Sequence, residues 1–347
     1  MCARIALNAL ALRPGGSGVQ TYIRELLREL ATGTSADLLA EVQSDAVGDL
    51  PAGVTPRVHP VVSGVRRALA GLRMPGEFDL VHGLDATLPA RVRVPAVVTF
   101  HDVAVFDVPW AFPRRRVIGK RAQLRYALRR ADAVIADSGF TAERIEARFS
   151  RAPTVIPLAP PPDCAPPDQD AITGVRRGYA LPDRFVLHVG SVDPRKNLAG
   201  LSDACERAQV PLALAGAVEG GRAQGVHAQL LGYVPRADLL ALYGAATVVA
   251  YPSFYEGFGL PPLEAMACGA AVVATRVASL PELLGDAAVF VEVGDTGALA
   301  AAIRELAHDD DRRAALAGAG PARAAELSWA RTARETADVY RSLGVAV

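Results

Sequence analysis

The sequence predicts an α/β protein built from two doubly wound domains. Short apolar runs alternate with longer helical patterns along the chain, as strand–helix–strand units require. A proline-dense stretch, VIPLAPPPDCAPPDQD at 155–170, interrupts that alternation near the middle. The 347 residues suffice for two domains of ordinary size.

The first strand is RIALNAL (4–10), followed by a glycine-rich loop, RPGGSGVQTYIREL (13–26), and a helical pattern from Val19 to Leu30. DLVHGL (79–84), AVVTFHD (96–102) and AVIADS (133–138) are the next strands, with a helical pattern over Lys120–Arg130 between the last two. Ser138 stands where a helix cap belongs. Beyond the proline-rich linker the pattern restarts with FVLHVGS (185–191), PLALAG (211–216), QLLGYV (229–234), TVVAYPS (247–253), AAVVATR (270–276) and AAVFVEV (287–293). The domains are therefore expected at 1–160 and 170–329. The segment LSWARTARETADVYRSLG (327–344) reads as a final helix with Trp329, Val339, Tyr340 and Leu343 as apolar anchors. Ligands of doubly wound sheets bind beyond the carboxyl ends of the strands, so functional residues are sought in the loops after strands.

Composition narrows the classes. Apolar residues make up 51% and charged ones 21%, as in a soluble globular protein. Basic and acidic side chains balance at 37 each, which gives no footprint for nucleic acid. The halves differ: residues 1–160 hold 21 basic and 15 acidic side chains, the remainder 16 and 22. The excess gathers at Arg114, Arg115, Arg116, Lys120, Arg121, Arg125, Arg129 and Arg130. A solvated helix face accounts for that run, and a peripheral contact with an anionic membrane surface is the sharper reading. Cys2, Cys164, Cys205 and Cys268 have neither zinc-site nor disulfide-framework spacing, which favours a reducing, cytoplasmic setting. The opening MCARIALNALALRPGG reads as a strand rather than a signal peptide, because Asn8 interrupts its apolar part.

Two loops of the second half carry the chemistry. In YPSFYEGFGLPPLEAMACG, Glu256 ends an apolar run, glycines follow at 257 and 259, and Glu264 opens a helix-like segment. Backbone N–H groups at a helix start suit an anion such as a diphosphate, here from Phe258, Gly259 and Leu260. Two carboxylates in the same place would repel that anion, so they suit hydroxyl groups instead. A helix-capping role explains Glu264 and leaves Glu256 unexplained. In GSVDPRKNL (190–198), Gly190 and Ser191 follow a strand, Arg195 can fork onto two phosphate oxygens, and Lys196 acts as a point charge. Only two lysines, Lys120 and Lys196, stand against 35 arginines, so a lysine at this spot suggests a geometric need. A site for phosphate beside sites for hydroxyls is what a nucleotide-sugar requires.

The spacing of Glu256 and Glu264 within EGFGLPPLEAMACG resembles the signature of the retaining family-4 glycosyltransferases of GT-B fold. That resemblance implies two Rossmann-like doubly wound domains facing across a cleft, with the final helix, 330–347, packing back on the first domain. It implies catalytic roles for His101, Arg195, Lys196 and Glu256, with His101 of TFHDVAVF at the donor sugar and Asp102 orienting the histidine or the backbone. Gly15, Gly16, Ser17 and Gly18 would line the cleft opposite the donor. Gly190, Ser191, Phe258, Gly259 and Leu260 would hold the diphosphate, Glu264 the ribose, and Tyr233 and Val234 of LGYVPRADLL the base. Many relatives carry arginine where this chain has Ser191. No cofactor or metal is implied, since Arg195, Lys196 and the helix start neutralise the leaving diphosphate. HDVAVF, VGSVDPRKNL and EGFGLPPLEA look most like the polysaccharide mannosyltransferase branch, so GDP-mannose is the first donor expected and a UDP-sugar the next. The acceptor would be the hydroxyl of a glycan, a lipid-linked sugar or a small molecule. An epimerase or hydrolase of the same fold, or a non-catalytic sugar-nucleotide binding subunit, is the alternative. His188 reads as a core residue, and the run Asp309–Asp311 as a solvated loop rather than a metal motif.

Overall fold

A computed structural model describes residues 2–347 except 16, 17, 73, 75, 92 and 217–224. Two compact units result: residues 1–159 with 328–347, and residues 160–327.

The first unit holds strands β1 (Arg4–Asn8), β2 (Asp37–Gln43), β3 (Val54–His59), β4 (Leu80–Gly83), β5 (Ala96–Phe100), β6 (Ala133–Ala136) and β7 (Thr154–Val155). They form one sheet in the order β3-β2-β1-β4-β5-β6-β7, with every neighbouring pair parallel. The strand order reverses between β1 and β4, which makes the ends of those strands the place for a ligand. The segments 37–43, 54–59 and 154–155 do not read as strands from sequence. Buried Glu41 and Gln43 break the apolar run of β2. Pro56 interrupts β3, and an edge strand tolerates it there because the proline needs no ladder donor.

The second unit holds β8 (Val186–Val189), β9 (Leu212–Ala215), β10 (Gln229–Gly232), β11 (Val248–Tyr251), β12 (Val272–Thr275) and β13 (Ala288–Val291). Their order is β10-β9-β8-β11-β12-β13, again all parallel, and the reversal falls between β8 and β11. Leu212, Leu214, Val248 and Val273 pack against Leu201, Leu299, Ile303 and Leu306 of helices Leu198–Ala208 and Thr296–His308. Each such buried side chain contributes about 1.5–3 kcal/mol. The core therefore fixes the strand ends from which the loops at 190–196 and 252–259 emerge.

The helix Trp329–Ser342 belongs to the first unit although its sequence follows the second. Ser328 caps it by accepting from the Arg331 N–H. Trp329, Val339 and Tyr340 are buried, and the Thr332 hydroxyl donates to the Pro157 carbonyl at 2.7 Å. Asp309 to Asp311 are not a loop. Asp309 caps the helix Asp310–Ala324 by accepting from the Arg312 N–H at 2.8 Å, and the other two carboxylates fall in its first turn, where the helix dipole favours them.

Candidate active site

The loops after β8 and β11 leave the sheet at its switch point, and backbone and side-chain bonds tie them together. The Phe254 N–H donates to the Arg195 carbonyl at 2.7 Å. Across that junction the Lys196 ammonium donates to Glu256 Oε1 at 2.6 Å, with only 12% and 10% of the two side chains exposed. The Ser253 hydroxyl donates to the same oxygen at 2.7 Å. Burial pushes the Glu256 carboxyl up, but Lys196 and the Ser253 hydrogen bond outweigh it and hold the group below its ordinary value. Glu256 is therefore an ionised, acceptor-only group at neutral pH.

The turn that follows is fixed by one hydroxyl. Ser279 donates to the carbonyls of Glu256, at 3.2 Å, and Phe258, at 2.6 Å. Gly259 has φ +108°, a conformation that glycine adopts without strain, and a Cβ there would also press on Leu280 Cδ2 at 2.8 Å. Helix Leu260–Ala267 starts at this point. Phe258 and Leu260 are buried, so their side chains offer a ligand no surface. The first N–H groups of a helix have no acceptor within it.

Arg195 faces its own turn. Its guanidinium donates to Asp193 through Nε at 3.0 Å and Nη2 at 3.2 Å, and Asp193 also caps the turn by accepting the Arg195 N–H at 2.9 Å. Burial raises the Asp193 carboxyl, but these bonds bring it below its ordinary value. The fork expected for phosphate is thus engaged with a carboxylate, while Lys196 is the cation brought against Glu256. Gly190, with φ +151°, borders Lys196, and Ser191 is exposed.

Glu264 lies in a separate cluster. Its Oε2 accepts from Arg236 Nη1 at 3.2 Å and the Tyr243 hydroxyl at 3.3 Å, and Arg236 also forks onto Asp163 at 2.8 and 2.9 Å. Burial raises the Glu264 carboxyl, and Arg236 only partly offsets it. Tyr233 is 76% exposed on the loop after β10, while the Val234 side chain is buried and leaves only its backbone for contact.

The first unit carries His101 just beyond β5. Its Nδ1 lies 2.5 Å from Asp137 Oδ2 and its Nε2 lies 2.9 Å from the Leu84 carbonyl oxygen. Both partners accept, so the ring carries both protons. Burial works against that charge, but Asp137, with Asp85 and Leu84, outweighs it and raises the imidazole to about 9. Burial also pushes the Asp137 carboxyl up against the pull of His101. In the ion pair Nδ1–H donates to Asp137 and Nε2–H to the Leu84 carbonyl. Asp137 thus orients His101, and Asp102 orients backbone by accepting the Ala104 N–H at 3.0 Å. Sequence reading missed Asp137 in ADSGFT; the signal was an acidic residue closing an apolar strand. The His101 ring also meets Tyr22 edge-on at 4.7 Å, and Tyr22 begins a buried hydrogen-bond chain through Thr99 and His82 to Tyr340. Gly15, with φ +85°, precedes the helix Gly18–Gly33; Gly16 and Ser17 lie outside the described residues.

Family models match both parts of the chain: "Glycosyl transferases group 1" over residues 176–323 and "Glycosyltransferase Family 4" over 16–161. The O-antigen chain mannosyltransferase B of Escherichia coli is 36% identical over 285 residues, covering 76% of this chain and 74% of that protein. The chain belongs to glycosyltransferase family 4. A D-inositol 3-phosphate glycosyltransferase of Salinispora tropica is 30% identical, over 93% of this chain and 80% of its own. Among solved structures, Anabaena HepE in complex with UDP and glucose superposes with TM-score 0.78 at 21% identity, covering 98% of this chain and 100% of that one. The two parallel Rossmann-like sheets are those of the GT-B fold. This family-4 enzyme is thus a hexosyltransferase that uses a nucleotide-sugar. Among the described residues, no helix is long and apolar enough to cross a membrane.

Proposed function

We propose that this chain is a retaining mannosyltransferase taking GDP-mannose as donor and a hydroxyl on a glycan or lipid-linked sugar as acceptor. The observation that carries this reading is the buried Lys196–Glu256 pair beside the start of helix Leu260–Ala267, at the switch point of the second sheet. A cation, helix N–H groups and an ionised carboxylate together match a diphosphate linked to a polyol. In this reading the donor diphosphate lies on the N–H groups of Phe258, Gly259 and Leu260 and draws the Lys196 ammonium toward it. Glu256 then accepts hydrogen bonds from the sugar hydroxyls, and Glu264 from the ribose. Negative charge grows on the diphosphate as the glycosidic bond stretches, and donors already in place stabilise it most in the transition state. They supply the neutralisation that a divalent ion would otherwise give. The acceptor hydroxyl bonds to the anomeric carbon on the face the diphosphate leaves, and a phosphate oxygen takes its proton. His101 supplies a fixed positive charge in the first unit.

The 36% identical mannosyltransferase favours the GDP-sugar, and the UDP-bound neighbour makes UDP the base to test against it. A thermal-shift panel in the presence of a chelator decides between them. A donor at 100 times its Kd stabilises the folded chain by about 2.7 kcal/mol. GDP-mannose is expected to give the largest shift; a larger one with UDP-sugars would overturn the donor assignment. Epimer or free sugar released rapidly without acceptor would overturn transfer itself.

The helix Arg114–Arg130 supports presentation of the acceptor at an anionic lipid surface. Ile118 is 71% exposed on it and Trp110, just ahead, is 59% exposed, beside Arg114 to Arg116. These provide apolar anchors next to cations. Sedimentation with phosphatidylglycerol vesicles is expected to pull down the chain, and an Ile118→Ser, Trp110→Ser variant is expected to bind at least several-fold less. Equal binding of the two would refute the contact.

A further inference from the structure

We infer that His188 is a donor-contact residue, whose Nε2 accepts a hydrogen bond from one hydroxyl of the nucleotide-sugar beside Lys196. The inference rests on the donor site proposed above and adds a residue to it.

His188 lies in β8 and is 1% exposed. Its Nδ1 lies 2.9 Å from the Ala250 carbonyl oxygen, which can only accept, so Nδ1 carries a proton. Burial, with Lys196 nearby, lowers the ring to about 4 and leaves it neutral. Nε2 therefore presents a bare lone pair. It is buried and has no hydrogen-bond partner among the described residues.

The direction of that lone pair matters. A Cβ built on Gly190 would lie 3.5 Å from His188 Nε2 and 4.0 Å from Lys196 Cε. Nε2 and the lysine stem thus border the same methyl-sized space beside Gly190. The Tyr251 ring lies 5.2 Å from the imidazole, centre to centre. A phenylalanine would fill the strand position without an orphaned acceptor, and orphaned buried acceptors are costly. A neutral imidazole lone pair cannot bind a phosphate oxygen, which carries no proton near neutral pH. It fits a hydroxyl, and a nucleotide-sugar offers these on its sugar and its ribose.

The test is a cycle of two variants against donors lacking single hydroxyls. His188→Phe keeps the ring shape. His188→Asn keeps a group able to donate to Ala250 while removing Nε2. With GDP-mannose and acceptor, both are expected to raise the donor KM on the order of ten-fold, with kcat within about two-fold. With one member of the mono-deoxy donor series, wild type and both variants are expected to have the same KM. A merely structural role would raise KM for every donor alike, and that result, or an unchanged KM with GDP-mannose, overturns the inference. If wild type binds GDP-mannose and the cycle is flat, only His188 is misassigned. If wild type binds no nucleotide-sugar, the donor site falls with it.

Discussion

Replacing Lys196 by alanine is expected to cut transfer by about 10²–10³-fold, the cost of removing a preorganised group from developing charge. The same change leaves Glu256 buried without its cation, so stability should fall by about 3–5 kcal/mol, read by urea denaturation. The two effects are separable. Adding Glu256→Gln removes the orphaned charge and should restore most of the stability while transfer stays lost. Transfer that recovers along with stability would mean that the pair is structural only. The Ser253 hydroxyl fixes the same Glu256 Oε1 from the same loop, so the carboxylate keeps its position when the lysine is removed.

The second large effect lies in the first unit. Asp137→Asn removes the counter-charge of His101 and should destabilise the chain by about 3–5 kcal/mol near pH 6. The pH dependence carries the diagnosis. The folded-state pKa of about 9 lies above the free value of 6.5. The stabilisation from the charged ring is therefore complete below about pH 6.5 and is lost as pH rises through 9. Melting temperatures of wild type and variant should converge between pH 6.5 and 10. A gap that stays constant over that range would show that His101 is not held as a cation.

The second sheet, the central strands of the first and their strand-end loops were legible because parallel strands buried on both faces read as continuous apolar runs. β2 and β3 escaped because Glu41, Gln43 and Pro56 break that signal, and their burial or edge position is a property of the assembled sheet. Lys196 and Glu256 were legible singly, since each stands at a strand-end loop of recognisable spacing. Their pairing at 2.6 Å was not, because it depends on β8 and β11 being neighbours although 60 residues separate the two side chains. Asp137 was missed for the same reason, whereas His188 is buried within β8, as a core reading expects. A carboxylate at a strand end looks like packing until the group facing it is known. Asp309 to Asp311 reversed from loop to helix start because capping is local geometry, invisible in composition.

The proposed donor site depends on Lys196 and the helix start at 258–260 holding the diphosphate. Calorimetric titration of wild type and Lys196→Ala with guanosine and with GDP tests it most directly. Wild type is expected to bind GDP at least ten-fold more tightly than guanosine, and that preference to collapse in the variant while guanosine binding stays unchanged. A preference for GDP equally strong in both proteins would contradict it.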